Sequence, residues 1–401
     1  YKPAPILGSV DRWLTHRPGS PVNVDDEIKN NIRDRLLGIL FSQSFDIIDR
    51  GIGTKEDLNF GCQVALGFKK GPLDLMRDLG EEEIQRIMKR FGQKRPGFPQ
   101  PGQSHAAYQN FNRFILVDER EGVKIITLRR PQAMNALSDE MTDEILAVLK
   151  QFADDPGVKG FVITGYGTAA FSAGADIGKF PSMLGDPNAS AQYARDCAKV
   201  QMFMDQMDKP VVAALNGLAL GGGLEIAIRC NSMVANKNAT LQFPEISLGI
   251  LPGIGGCVVP YRKWPQGADL FHEMICLAKP IGADEAAGIG MISRITDDYP
   301  SLIKAAIDEV NDLQGKITRI PEGKIQVPDI KLPAEPKAGK QVLSKEAVSI
   351  AVKTIQDGAA AENFSKALEI GYKGFGEVAC SDAAKEGISA FLERRKPEFK
   401  R

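Results

Sequence analysis

The chain has 401 residues, of which 43% are hydrophobic and 25% are charged. It can therefore form full hydrophobic cores, and its length suits two domains. Lys and Arg total 50 and Asp and Glu total 51, a net charge of −1, so charge gives no reason to expect binding to nucleic acid or an anionic membrane. No apolar run approaches the ~18 residues of a transmembrane helix, and the N-terminal stretch lacks the apolar core of a signal peptide.

The positions of the cysteines and histidines limit the kinds of metal and catalytic sites that the sequence can form. The six cysteines form neither a CxxC pair nor a Cys/His ligand spacing, so we expect reduced thiols in a cytoplasmic protein, without zinc or a disulfide framework. The three histidines, His16, His105 and His272, lie near no Ser or Cys elbow motif, and His272 is expected on the packing face of a helix. Carboxylates remain as the candidates for acid–base catalysis.

The first 93 residues have helical periodicity and no strand-like alternation. Apolar residues recur at three and four positions between Ile28 and Ile48, Gly51 ends this pattern, and Thr54 is placed to cap the next helix. We predict a small all-α domain over residues 1–93. Residues 94–112, rich in Pro, Gly and Gln, are predicted to be a linker.

The pattern changes to α/β from residue 113. Two strands flank a turn at Glu121-Gly122, Ser138 can cap a following helix, and "VKGFVITGYG" and "KPVVAALNGLAL" are apolar enough to be buried strands. Alternating strands and helices predict a mainly parallel sheet covered by helices. The Lys- and Pro-rich segment 312–341 is expected to be an exposed insertion, followed by helices to the C-terminus.

Glycine turns beside small or acidic residues occur in "FSAGADIGKF" (171–180), "LGGGLEIAI" (220–228) and "LQFPEISLGILPGIGG" (241–256). The first two follow apolar strands, and loops after parallel strands gather at one edge of the sheet. Free backbone N–H groups there could converge on one oxygen atom as an oxyanion hole. The pattern matches neither a P-loop nor a dinucleotide-binding fingerprint.

Glu225 and Glu245 are 20 residues apart. They can meet because a short strand, "SMVA", and a turn at residues 236–238 allow the chain to fold back between them. Two carboxylates in one pocket can divide the work, one neutral as acid and one ionised as base, since repulsion and burial separate their pKa values. In the alternative interpretation, Glu225 is an ordinary acid at a helix N-terminus and Glu245 is a surface loop residue.

Several ordered motifs resemble the crotonase superfamily, specifically the enoyl-CoA hydratases, from about Phe114 to Arg401. They are "RPQAMNALSDEM", "FSAGADI", "KPVVAALNGLALGGGLEIAIRCN", "PEISLGILPGIGG" and "AKEGISAFLERRKPEFK". The resemblance implies an α/β crotonase (ClpP/crotonase-like) spiral fold with a C-terminal helical trimerisation region, in a homotrimer or dimer of trimers. It also implies reversible syn addition of water to a trans-2-enoyl-CoA of the crotonyl-CoA type, giving (3S)-3-hydroxyacyl-CoA without metal or cofactor. A hydrolase of CoA thioesters or cyclic acyl-CoAs, and a non-catalytic assembly subunit, remain alternatives.

The resemblance also implies roles for individual residues. The backbone N–H groups of Ala175 and Gly222 would hold the thioester oxygen, Glu225 would activate water, and Glu245 would deliver the α-proton. Basic residues at 394–396 would meet CoA phosphates or form a solvated tail. The residues expected to line the CoA site are Ala133, Met134, Ala173, Asp176 and Ile177.

Residues 1–93 resemble the C-terminal helical domain of 3-hydroxyacyl-CoA dehydrogenases, through "GIGTKED", "LGF" and "GPLDLMRDLG". The Rossmann domain of such enzymes, which binds NAD, has no counterpart in this sequence. Because the first residue is Tyr1, we expect the C-terminal part of a bifunctional dehydrogenase/hydratase, with NAD used only by the missing portion. The alternative is a complete protein whose helical domain serves assembly.

Overall fold

The computed structural model describes residues 8, 17, 20–21 and 23–399. The expectations that concern Tyr1, His16 and Arg401 lie outside these residues. The chain separates into two compact units, Tyr1–Phe111 and Asn112–Arg401. In the part that is described, no helix is both long and apolar enough to cross a membrane.

The described part of the first unit is built from helices. Side-chain caps start three of them: Asp25 accepts from two backbone N–H groups of the first helix, Thr54 accepts from one in the second, and Ser104 accepts from one in the fifth. Gly67, with a φ of 68°, ends the second helix. Phe41 and Leu73 are fully buried in the core. The helices are α1 (Asp26–Asp49), α2 (Lys55–Leu66), α3 (Pro72–Leu79), α4 (Glu81–Lys94) and α5 (His105–Gln109).

Residues 94–112 differ from the patternless linker that we expected. They contain α5, and Tyr108 in this helix is 1% exposed. Its ring lies 4.6 Å from that of Phe45, and its hydroxyl donates to the Asp49 carboxylate at 2.7 Å. A single buried aromatic residue therefore anchors a Pro- and Gly-rich segment to the first unit, without the helical periodicity that would have revealed it.

The second unit contains a six-stranded sheet in the order β1-β2-β3-β5-β7-β10, parallel except for the β1–β2 hairpin. A second sheet has the order β4-β6-β8-β9, and β11 pairs with β12. The predicted mainly parallel arrangement and the Glu121-Gly122 turn are confirmed. The strands are β1 (Ile115–Arg120), β2 (Val123–Leu128), β3 (Gly160–Gly165), β4 (Ala170–Ser172), β5 (Val211–Leu215), β6 (Leu218–Leu220), β7 (Ser232–Asn236), β8 (Thr240–Gln242), β9 (Ile281–Gly282), β10 (Arg294–Thr296), β11 (Lys337–Ala338) and β12 (Gln341–Val342).

The stretch "KPVVAALNGLAL", which we predicted as one strand, forms β5 and β6 in different sheets. The break falls at Asn216, whose side-chain amide donates to the carbonyl oxygens of Gly165, Gly167 and Ala170 at 2.8–3.1 Å. At Gly217 a β-carbon would lie 2.4 Å from the Ala169 carbonyl oxygen. The buried Asn216 amide and the close backbone approach at Gly217 mark the point where the chain leaves the six-stranded sheet and enters the second sheet. This point lies just before the glycine-rich loop that starts at residue 220.

Helices cover the sheets, and Ser138 caps α6 as predicted. The helical C-terminal region is confirmed except at its end, because α16 stops at Leu392 and residues 393–399 are not helical. The helices are α6 (Asp139–Phe152), α7 (Pro187–Cys197), α8 (Lys199–Met204), α9 (Gly222–Arg229), α10 (Val259–Lys263), α11 (Ala268–Cys276), α12 (Ala283–Gly288), α13 (Tyr299–Asp312), α14 (Lys345–Ala359), α15 (Phe364–Val378) and α16 (Asp382–Leu392).

The segment 312–341 is anchored more closely than an exposed insertion would be. Its side chains Ile320, Ile325 and Val327 pack on the main core of the second unit. Buried Arg262 donates to the carbonyl oxygens of Pro321 and Gly323 at 2.9 and 2.8 Å. The weak alternation of apolar residues in this segment thus corresponds to side chains that point alternately to the core and to solvent.

Candidate active site

Each glycine at the start of α9 lies close to a different group, and this explains why a side chain is disfavoured there. Gly221 has a φ of 49°, and a β-carbon there would lie 2.6 Å from Oε1 of Glu245. At Gly223, a β-carbon would lie 2.6 Å from the side chain of Ser172. Gly222 approaches Ala175 closely, with 3.4 Å between its would-be β-carbon and the Ala175 nitrogen. The run of glycines therefore lets the backbone at the start of a helix pack directly against a carboxylate and a neighbouring loop.

The N–H groups of Ala175 and Gly222 are free of protein acceptors among the described residues. The loop at Ala175 is fixed on both sides, because Leu137 donates to the Gly174 oxygen and Asp176 donates to the Leu137 oxygen, each at 2.8 Å. Gly222 is the first residue of α9, where N–H groups lack intrahelical partners and the helix dipole is positive. Both amides border the same cleft, and an oxygen with developing negative charge could accept from both.

Glu225 lies in the first turn of α9 and is 2% exposed. Its Oε1 accepts from the backbone N–H groups of Ile254 and Gly256, both at 2.8 Å. Burial raises the pKa of Glu225 to about 7, and these two hydrogen bonds limit the rise because they favour the ionised form. Glu225 is thus a carboxylate that can exchange a proton near neutral pH.

Glu245 begins a short 3-10 turn, Glu245–Leu248, after β8. Its Oε2 is buried and has no hydrogen-bond partner in the described part of the chain. Burial, and then the charge of Glu225, raise the pKa of Glu245 well above its ordinary value. The structure therefore places both carboxylates on one cleft, and burial favours the neutral acid at Glu245.

The cleft that these residues line has a cavity volume of about 90 Å³. One wall is aromatic: the ring of Phe180 lies 5.7 Å from that of Tyr193 and 5.8 Å from that of Phe375, in edge-on contacts. Apolar walls with a few convergent polar groups are typical of small-molecule sites. The lining residues are Ala173, Gly174, Ala175, Ile177, Phe180, Tyr193, Ala194, Cys197, Gly221, Gly222, Glu225, Pro244, Glu245, Leu248, Ile250, Leu251, Gly253, Ile254 and Phe375.

The residues expected near CoA separate into two groups. Ala173 and Ile177 line the cleft. Ala133, Met134 and Asp176 do not line it, although Met134 is connected to it because its carbonyl oxygen accepts from the Ala173 N–H at 2.9 Å. Asp176 forms an ion pair with Arg130 at 2.9 Å on the surface. Met134 therefore adjoins the cleft through the backbone of Ala173 without lining it.

Of the basic residues at 394–396, Arg395 is less available than the sequence suggests. Arg395 pairs with Glu386 and Glu393 at 2.5 and 2.6 Å. Its guanidinium is therefore already engaged by carboxylates of its own chain.

Sequence reasoning missed the amides of Ile254 and Gly256 as partners of Glu225. The "GIGG" stretch was a signal, since glycines there permit close approach, and a β-carbon at Gly256 would lie 3.2 Å from Glu225 Oε1. It also missed Tyr193 and Cys197 on α7, which line the cleft. An amphipathic helix gives no sign of which face will border a ligand. His272 is a buried packing residue of α11, as predicted.

A parallel sheet whose loops gather two carboxylates and two free amides around one cleft defines an enzyme suited to acid–base chemistry beside a carbonyl group. The family model for enoyl-CoA hydratase/isomerase matches residues 118–320. A crotonyl-CoA hydratase of Syntrophomonas wolfei is 33% identical over 73% of this chain and 98% of its own length. A short-chain-enoyl-CoA hydratase of Clostridium acetobutylicum is 32% identical over 70% of this chain and 95% of its own.

Solved structures agree on the fold. An enoyl-CoA hydratase from Mycobacterium avium subsp. paratuberculosis has a TM-score of 0.50 at 21% identity, covering 72% of this chain and 99% of that one. The chain belongs to the enoyl-CoA hydratase/isomerase family and has the crotonase fold. The expectation of an enoyl-CoA hydratase, a lyase, is confirmed.

Proposed function

We propose that the cleft hydrates short-chain trans-2-enoyl-CoA thioesters of the crotonyl-CoA type by syn addition, giving the (3S)-3-hydroxyacyl-CoA. The observation that carries this proposal is the meeting of Glu225, Glu245 and two free amides around one small cleft. The names of the relatives in Syntrophomonas and Clostridium support the hydration reaction and the short acyl chain.

The roles of the two carboxylates follow from their surroundings. Glu225 accepts two N–H bonds, which stabilise its ionised form, so it is the base that takes a proton from water. Glu245 has a buried oxygen without a partner among the described residues, so its neutral form is favoured and it delivers the proton to the α-carbon. After the two proton transfers Glu225 is protonated and Glu245 is ionised. This is the state that the reverse reaction, dehydration, requires.

The free amides of Ala175 and Gly222 act on the thioester oxygen. Adding hydroxide to the β-carbon moves negative charge to that oxygen as an enolate, and two preorganised donors stabilise the charge. Removing one donor from such a site typically costs ~3–4 kcal/mol of transition-state stabilisation. No metal or cofactor is needed for these steps.

The size of the cleft supports a short acyl chain. Its cavity volume of about 90 Å³ is small beside the ~300–1,000 Å³ of typical drug-sized ligand sites. Phe180 and Phe375 are 7% and 4% exposed and are held by edge-on ring contacts, so extending the cavity would require moving packed rings.

The CoA moiety is proposed to lie along the outer edge formed by Ala133, Met134 and Asp176. We also propose a homotrimer or dimer of trimers through the C-terminal helices. Phe391 and Leu392 at the end of α16 are 51% and 49% exposed, which favours contact with another subunit.

The first unit is proposed to be a domain of the 3-hydroxyacyl-CoA dehydrogenase C-terminal type. The matching motif "GPLDLMRDLG" has a structural role: Pro72 opens α3, Leu73 and Met76 are fully buried, and the Asn59 side chain accepts from the Leu73 N–H at 3.0 Å. We expect the purified chain to form no NADH from 3-hydroxybutyryl-CoA and NAD. NADH formation at 340 nm would contradict this assignment.

The experiment that tests the main proposal is a hydration assay with enoyl-CoAs from C4 to C16, following loss of the conjugated thioester absorbance. We expect the highest kcat/KM at C4 and a steep decline with length. A thiol reagent in parallel detects free CoA, so thiol release without 3-hydroxyacyl-CoA would favour a thioester hydrolase. Absence of turnover in both assays would favour an assembly subunit.

A further inference from the structure

Arg229, at the opposite end of α9 from the free amide of Gly222, is a buried cation close to the proposed base. It lies four residues after Glu225 on the same helix, so the two side chains share one face. Arg229 is 3% exposed as a residue, and its side chain is fully buried. A buried charge is costly unless it is paired, so its placement beside the active carboxylate calls for a function.

The guanidinium is fixed on two sides. Nε donates to the Asp205 carboxylate at 3.1 Å, and Nη2 forms a second, short bond to the same group. The plane lies over the Phe364 ring, with 5.2 Å between the guanidinium carbon and the ring centroid. A bidentate carboxylate pair and an aromatic face together leave the guanidinium little freedom.

The remaining nitrogen, Nη1, is buried and no acceptor in the described part of the chain meets hydrogen-bonding geometry with it; the Tyr372 hydroxyl is a polar neighbour of the guanidinium. It lies against Gly255, where a β-carbon would be 3.4 Å from it. Gly255 separates Ile254 and Gly256, the two residues whose N–H groups hold Oε1 of Glu225. The guanidinium therefore supports the same short loop that binds the carboxylate.

We propose that Arg229, anchored by Asp205, is a positioning residue that holds the 254–256 loop against Glu225 and keeps this carboxylate ionised as the base. This inference rests on the proposed hydration reaction. Arg229 acts through charge and through the loop and does not touch the substrate, since the cleft is lined by Glu225 and not by Arg229.

Other groups also face this pair, and their charges fix the direction of the effect. The positive charge of Arg229 lowers the pKa of Glu225, opposing the rise caused by burial. Asp205 partly cancels that charge, so its removal should strengthen the effect of Arg229. The remaining titratable groups around the two side chains are Glu245, Cys197, Cys257, Tyr372 and Lys263.

Three variants of the full chain test the proposal through the pH dependence of kcat/KM with crotonyl-CoA. Arg229→Met should move the acid limb to higher pH by on the order of 1 unit, because an opposite charge is lost near Glu225. Arg229→Lys keeps the charge and should return the limb towards its wild-type position. Asp205→Asn should move the limb to lower pH, since it leaves the cation uncompensated.

A purely structural role of Arg229 would lower activity by one factor at every pH without moving the limb, and that result would overturn the proposal. If Arg229→Met does not fold, Asp205→Asn decides: a downward shift supports the proposal and an unmoved limb contradicts it. Wild-type protein distinguishes failure of the proposed function from failure of the proposed role of Arg229. Without wild-type hydration the proposed function itself fails, whereas an active wild type with unmoved limbs refutes only the role of Arg229.

Discussion

Gly221 lies against the carboxylate of Glu245, so closely that a β-carbon on Gly221 would fall 2.6 Å from Oε1. The φ of 49° at Gly221 independently disfavours any residue with a side chain. Backbone conformation and steric space therefore both demand glycine at this position. The position of the proposed acid depends directly on the backbone that begins α9.

Gly221→Ala should displace the Glu245 carboxylate and lower kcat for crotonyl-CoA by ~10²-fold, since a shift of about 1 Å in a catalytic group can cost that much. The measurement is steady-state hydration, with Tm as a check on folding. Gly288→Ala is the matched control, because nothing lies within 4 Å of the added carbon and its φ is not positive. Equal activity in the two variants would show that Glu245 tolerates the displacement.

Gly222→Pro and Gly222→Ala distinguish the loss of the Gly222 N–H donor from the effect of added side-chain volume at this position. Proline removes the N–H at the first helical position, which tolerates proline, and should lower kcat/KM by ~10²–10³-fold. Alanine keeps the N–H, and its β-carbon would lie 3.4 Å from the Ala175 nitrogen, so we expect a much smaller loss. Similar losses in both variants would indicate that space, rather than the donor, matters at Gly222.

The pH dependence of stability follows from the raised pKa of Glu225, about 7. Because the folded protein holds this proton more tightly than the unfolded chain, stability falls as pH rises from the ordinary Glu value through about 7, and then levels off. Glu225→Gln removes this titration. Its Tm relative to wild type should therefore be higher at pH 8 than at pH 5 by thermal denaturation, and a pH-independent difference would contradict the raised pKa.

Asn216→Ala should destabilise the second unit by about 2–3 kcal/mol, because the buried Gly165 carbonyl would lose the Asn216 donor and the buried Gly165 N–H would lose the Asn216 Oδ1 acceptor. Urea denaturation measures this loss. Asn238→Ala is the control: Asn238 is exposed, and its replacement should change the free energy of unfolding by less than ~0.5 kcal/mol. Equal effects would mean that Asn216 does not hold the break between the sheets.

The sequence was most informative where a pattern has one physical cause. The alternation of apolar strands with capped helices predicted the parallel sheet, and the Glu121-Gly122 turn predicted the first hairpin. It failed where a single side chain overrides the pattern. Asn216 divides an apolar run that had no visible break, and Tyr108 secures a segment whose composition is typical of a linker.

The placement of Glu225 and Glu245 on one cleft was predictable from the sequence, and the different surroundings of the two carboxylates were not. The spacing of Glu225 and Glu245 indicated that they could meet. Which of them is held by backbone N–H groups depends on the path of residues 254–256, and that path is set by tertiary packing. Arg229 stands in an apolar stretch of the sequence, where nothing in the local pattern shows that its partner, Asp205, is supplied by the end of another helix.

The most direct test of the account is crotonyl-CoA hydration by Glu225→Gln and Glu245→Gln, each compared with wild type at its optimal pH. Glutamine nearly preserves shape while removing the proton exchange that both residues supply. We expect each substitution to lower kcat by ~10²-fold or more, with folding preserved by circular dichroism. Wild-type turnover in either variant would contradict the mechanism of two cooperating carboxylates.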